Sequence, residues 1–174
     1  MELTLKKIEI IRKKILENAH QLLEDAVLLL RNKRWARAFG LTHLASEELA
    51  KLLMLHTAAI HIIRGKKFDF KTLNKRLNNH KAKIRNILVM EVLLTTNDDK
   101  IGPRNLKEYL ERGKRFYNFK GLREVNLDVE VNKFNNLKNN CLYAQFFKGE
   151  ILKPSEIITE EMAREYFRET VERI

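Results

Sequence analysis

Apolar residues recur at helical spacing along most of this chain. Ile8, Ile11, Ile15, Leu22, Ala26 and Leu29 share one stripe, which predicts a first amphipathic helix over about 3 to 31. Asn18 interrupts the stripe between Ile15 and Leu22 and is expected to face inward. A polar joint, Arg31-Asn32-Lys33-Arg34, leads into a second helix, predicted over about 34 to 64. One face of it carries Trp35, Phe39, Thr42, Ser46, Leu49, Leu53, His56 and Ile60; another carries Leu41, Leu44, Glu48, Leu52, Leu55 and Ile62. A helix apolar on most sides belongs at the centre of a bundle. Gly65 can end it, and Lys66-Lys67 suit its C-terminal dipole.

Asp69 is placed to cap a third helix, predicted over about 70 to 95. Its stripe is Phe70, Leu73, Leu77, His80, Ile84, Ile87 and Leu94. Thr95 to Asp99 reads as a loop, and Pro103 suits the first turn of a fourth helix, about 103 to 118. A fifth, about 128 to 143, turns Val131, Phe134, Leu137 and Cys141 inward. Residues 144–152 read as irregular or as a short extended pair, and Gly149 and Pro154 break the chain. Thr159 can cap a last helix with Ala163, Tyr166, Phe167 and Thr170 inward. The expectation is an all-α chain. It is an up-and-down helical bundle forming a single domain over 1–174, with long central helices and additional C-terminal ones.

Composition agrees. The chain has 174 residues, 44% of them hydrophobic, which suffices for a real core. Only 6 Gly and 2 Pro are present, and few breakers favour long helices. A net charge of +11 suits an anionic partner such as RNA, DNA or an acidic protein. The lone Cys141 excludes an intramolecular disulfide and a thiolate-rich metal site. No apolar run spans a bilayer and the N-terminus lacks a signal-peptide core, so a cytoplasmic protein without membrane attachment is expected.

Polar groups on apolar faces carry the candidate chemistry. His43, Glu47 and Lys51 follow at i, i+4 and i+8 in the second helix, with Glu48 beside them. A buried carboxylate needs a cation or changes protonation, and Lys51 is within reach of both glutamates. Such a group can serve only to fix helix register. His80 falls in the third stripe, with Arg76 four residues before it and Lys83 three after. Asn78, Asn79, Lys75 and Lys81 lie close. Cations on one face favour the neutral imidazole that a general base requires, and Arg76 or Lys83 can stabilise a phosphate gaining charge. The set suits metal-free RNA cleavage, with Lys75, Asn79 and Lys81 as substrate contacts. A di-iron bundle wants two Glu-x-x-His pairs. Only Glu17 and His20 have that spacing, on the charged side of the first helix. No metal and no cofactor are expected.

Three stretches together resemble the AbiV family of abortive-infection proteins, a branch of the HEPN superfamily. They are ENAHQLLEDAVLLLRNKRWARAFGLTHLASEELAK at 17–51, FDFKTLNKRLNNHKAK at 68–83 and LKNNCLYAQFFKGEILKPSEIITEEMA at 137–163. The resemblance implies a HEPN-like bundle, often dimeric, acting against phage. Many HEPN proteins are metal-independent ribonucleases whose signature is Arg, four to six residues, then His. Here Arg76 and His80 enclose three residues, and Lys75 and His80 four. His80 therefore matches, while the Arg position departs from the pattern. Gln145 stands where the family pattern has Asp, and Lys138 where Arg is common.

The residues and the resemblance together make His80, Arg76 and Lys83 the candidate catalytic set. Asn18, His43, Glu47, Glu48 and Lys51 form a supporting polar cluster. The expected partners are RNA, a phage-encoded trigger protein and a second copy of the chain. The competing function is a non-catalytic helical module that stops translation by binding a phage protein or RNA.

Overall fold

The computed structural model describes residues 3–66, 68–94 and 127–172. Helix α1 (Leu5–Arg31) starts at Thr4, whose hydroxyl accepts from Lys7 N, and ends at Asn32, whose amide donates to Leu28 O. Its buried residues are Ile8, Ile15, Ala19, Leu23, Ala26 and Leu30. Asn18, expected inward, is exposed. The small Ala19 beside it takes the inward place, where a longer polar side chain would hold the helices apart.

After a turn in which Lys33 adopts a left-handed conformation, α2 (Trp35–Ile63) runs antiparallel along α1. It also packs against every other helix described, as its apolar faces predict. Gly65, at φ +69°, ends it. Two apolar cores lie along α2. One gathers Leu30, Ala36, Phe39, Cys141, Ile158, Ala163 and Tyr166 around its start. The other gathers Ile8, Ile15, Met54, Leu55, Ala58 and Leu73 around its second half. Thr42, His43, Ser46 and Glu47, all buried, occupy the stretch between.

The single helix expected over 70 to 95 is two helices. Asp69 caps α3 (Phe70–Leu77) by accepting from Lys71 N and Thr72 N. α3 stops at Asn78, and α4 (His80–Leu94) begins after Asn79, whose side chain accepts from Ala82 N at 3.0 Å. Paired asparagines offer backbone groups a side-chain alternative to the helical ladder, and Asn79 uses it. His80 therefore opens a new helix, and the i to i+4 neighbourhood of Arg76 and His80 does not apply across the break.

Helix α5 (Leu127–Leu142) packs on α2 and α4, with Val131 and Cys141 buried. Burial pushes the Cys141 thiol up to about 11, so it stays protonated and donates to Lys138 O at 2.8 Å. Strands β1 (Gln145–Phe147) and β2 (Glu150–Leu152) form an antiparallel hairpin with Phe146 opposite Ile151. Lys148 and Gly149, at φ +49° and +90°, make its two-residue turn. This hairpin is the one non-helical element of regular structure among the described residues. Pro154 opens a one-turn α6 (Pro154–Ile157). Thr159, accepting from Met162 N, caps α7 (Glu160–Val171), which buries Ala163, Tyr166 and Thr170 against α2. The expected loop at 95–99 and helix at about 103 to 118 lie outside the described residues.

Candidate functional site

Glu47 stands where the apolar wall of α2 is interrupted, with a side chain only 2% exposed. A carboxylate so buried survives as an anion only if cations replace its water. Lysines of α4 and α5 supply them, and histidines of α2 and α4 complete the ring of contacts. Lys83, one turn into α4, places Nζ 2.6 Å from Oε2. His80, first residue of α4, places Nδ1 2.8 Å from Oε2 and 3.1 Å from Oε1. Lys138 of α5 places Nζ 3.4 Å from Oε1. His43, one turn earlier on α2, has Nε2 3.5 Å from Oε1. Burial pushes the Glu47 carboxyl up, but the His43 ring and the Lys83 and Lys138 ammonium groups outweigh it and hold it well below the usual carboxylate range.

The two histidines differ. His43 is completely buried, beside the rings of Phe134 and Tyr166. Burial lowers its pKa, opposed by Glu47 and aided by Lys138 and His80. His43 is therefore neutral at pH 7. The side chain of His80 is 56% exposed. Two groups approach its Nδ1, the Glu47 carboxylate at 2.8 Å and Lys138 Nζ at 3.4 Å. The shorter, anionic contact decides the tautomer. Nδ1 carries the proton and donates to Glu47, which leaves Nε2 as the acceptor of the neutral ring.

The remaining candidates divide clearly. Glu48 and Lys51 pair with each other at 2.5 Å and are not among the groups contacting Glu47. Lys83 is turned inward onto Glu47. Arg76, Lys75 and Lys81 are exposed near the α3–α4 junction, as is Asn79, whose side-chain oxygen caps α4. Asn18 is exposed on α1. Residues 66–88 hold eight Lys or Arg against one Asp, a large share of the chain's net +11. His80 opens to solvent beside the exposed Lys75, Arg76 and Lys81. Among the described residues, no group of three or more His, Cys, Asp or Glu could hold a metal ion, and no helix is long and apolar enough to cross a membrane.

The AbiV family model, of HEPN type, matches residues 7–174, nearly the whole chain. This chain belongs to the AbiV family. That places it among abortive-infection proteins of phage defence with a helical HEPN fold. No curated protein and no solved structure matches it significantly.

Two residues of this AbiV site lay outside the expected set, Lys138 and Tyr166. The signal for Lys138 was present. It stands four residues after Phe134 and three before Cys141, on the inward stripe of α5. A lysine there needs an anion across the interface. Tyr166 was expected inward, but nothing in the sequence pairs its hydroxyl with His43, 123 positions away.

The neutral, buried His43 has a consequence for stability. Its folded pKa lies below the ordinary 6.5, so the unfolded chain binds the extra proton first. The stability His43 contributes is complete above pH 6.5 and is lost as pH falls below it, at up to about 1.4 kcal/mol per pH unit. Urea unfolding at pH 7.5 and 5.5 will show a lower midpoint at 5.5, and His43→Gln will show a smaller drop. Equal drops in both proteins would remove His43 as the cause.

Proposed function

We propose that this AbiV-family protein blocks phage propagation by shutting down translation, as a HEPN-type metal-independent endoribonuclease with His80 as general base. One observation carries the reading. A buried, anionic Glu47 accepts from His80 Nδ1 at 2.8 Å, so the half-exposed ring presents Nε2 to solvent beside the exposed Lys75, Arg76 and Lys81. A carboxylate that fixes the tautomer of a solvent-facing imidazole makes it a defined proton acceptor.

In the proposed reaction, Nε2 takes the proton of a ribose 2′-OH. The 2′-oxygen forms a bond to the adjacent phosphorus, and the bond from phosphorus to the 5′-oxygen breaks. The products are a 2′,3′-cyclic phosphate and a 5′-hydroxyl, the latter protonated by water or by the imidazolium. Arg76, exposed at the end of α3, is the first candidate for stabilising the pentacovalent phosphate. Lys75 and Lys81 hold flanking phosphates, and Asn79 keeps the α3–α4 corner in shape. Lys83 holds Glu47 rather than RNA, because its charge is already engaged at 2.6 Å. The acting form in this proposal is a cytoplasmic homodimer, released by a phage-encoded trigger protein.

The test is purified protein with single-stranded RNA in excess chelator. Fragments ending in 2′,3′-cyclic phosphate are the expected product, with binding that weakens steeply as salt rises. RNA that binds with the same salt dependence but stays whole would favour the non-catalytic module, a reading supported by the three-residue separation of Arg76 and His80.

A further inference from the structure

The buried side of the site extends to the C-terminal helix. Tyr166 of α7, buried on Phe39 at 4.9 Å between ring centroids, brings its hydroxyl to 3.3 Å from His43 Nδ1. The other nitrogen of that ring, Nε2, lies 3.5 Å from Glu47 Oε1 and is the buried side-chain polar atom without a hydrogen-bond partner among the described residues. Glu47 in turn accepts from His80. Tyr166, His43, Glu47 and His80 therefore form one line, from the interior of α7 through α2 to the surface end of α4.

We infer that Tyr166 and His43 are positioning residues, which hold the Glu47 carboxylate in the orientation that fixes the His80 ring. The catalytic consequence rests on the ribonuclease reading above; the structural coupling does not.

The direction of the line follows from electrostatics. His43 has one proton to place on two nitrogens. On Nδ1 it would leave the Nε2 lone pair facing a carboxylate in a dry, low-dielectric site, which is repulsive. On Nε2 it points the N–H at Oε1, and Nδ1 accepts from the Tyr166 hydroxyl. At 3.5 Å the Nε2 contact is too long for a full hydrogen bond. It is a dipole aimed at a charge, and its value depends on the ring being held in place. Tyr166 holds it at one nitrogen and the Phe134 ring packs beside it. Oε1 is thus faced by His43 and Lys138, and Oε2 takes Lys83 and the shorter of the two His80 contacts. With Tyr166 or His43 altered, the carboxylate can turn toward the two lysines, and the grip on His80 Nδ1 loosens.

The experiment is NMR of protein labelled with ¹⁵N in its 5 histidines, assigned by single substitutions and read where His80 is neutral. The variants are Tyr166→Phe, His43→Leu and His43→Gln. In the wild type, His80 carries its proton on Nδ1 and His43 on Nε2. Tyr166→Phe and His43→Leu move the His80 proton toward Nε2, the form favoured by an imidazole without such a partner. They also slow RNA cleavage about tenfold through the turnover rate, leaving KM near the wild-type value. His43→Gln, which keeps an N–H near the Nε2 position, retains the wild-type tautomer and rate. If Tyr166→Phe and His43→Leu leave the His80 tautomer unchanged, the inference is overturned. Should His43→Leu fail to fold, Tyr166→Phe decides alone, because its ring still packs on Phe39. A wild type that cuts no RNA sinks the ribonuclease reading, while the tautomer arm still decides the coupling.

Discussion

Glu47→Ala will cost roughly 3–5 kcal/mol of folding stability, the range expected when one side of a buried ion pair is removed. The mutant opens a small cavity at a fully buried position. It leaves two ammonium groups without their anion, Lys83 with a side chain 8% exposed and Lys138 with one 11% exposed. Neither reaches enough water to replace the carboxylate, so the helix seams α2–α4 and α2–α5 must open or the lysines must lose protons. Glu48→Ala is the internal control. Its pair with Lys51 at 2.5 Å is a contact within one helix, of the kind worth about 1 kcal/mol or less. Urea unfolding monitored by helix signal separates the two. Similar small losses in both variants would mean that the cluster at Glu47 does not hold the helices together.

His80→Ala will act the other way, with a large effect on chemistry and a small one on folding. The ring is more than half exposed and opens α4 rather than filling a core, so its removal leaves the unfolding midpoint close to wild type. Glu47 keeps Lys83, Lys138 and His43. A positioned general base contributes about 10²–10⁴-fold to rate, and cleavage of single-stranded RNA should fall by that factor. The comparison uses equal folded fractions, checked by circular dichroism. A His80→Ala protein that cuts at the wild-type rate would remove His80 from the chemistry.

The middle of α2 shows what was legible and what was not. His43 and Glu47 are one turn apart in sequence, so their shared face could be read directly, as could Glu48 and Lys51. Spacing alone did not divide them. Glu47 faces α4 and α5, whereas Glu48 keeps to its own helix. That split is set by where the other helices dock.

Caps were legible for a local reason, because Asp69 and Thr159 bond within three residues of themselves. The break at Asn78-Asn79 was not, because Phe70, Leu73, Leu77, His80 and Ile84 continue the apolar rhythm straight across it. Two adjacent asparagines were the available warning. Asn18 and Ala19 flank opposite edges of the first stripe, and the docked helix turns toward Ala19, Leu23 and Leu30. Periodicity fixes a stripe more firmly than its edges. Lys138 was visible as a lysine on an inward stripe, but its anion is 91 positions away.

The role of His80 is tested most directly by inducible expression of wild type and His80→Ala in a bacterial host, followed by phage challenge and measurement of total RNA integrity. The wild type will protect the host and fragment RNA, and a His80→Ala protein that folds normally will do neither. Protection by both proteins with intact RNA would contradict that role, and would leave His80 as an ordinary member of the Glu47 cluster.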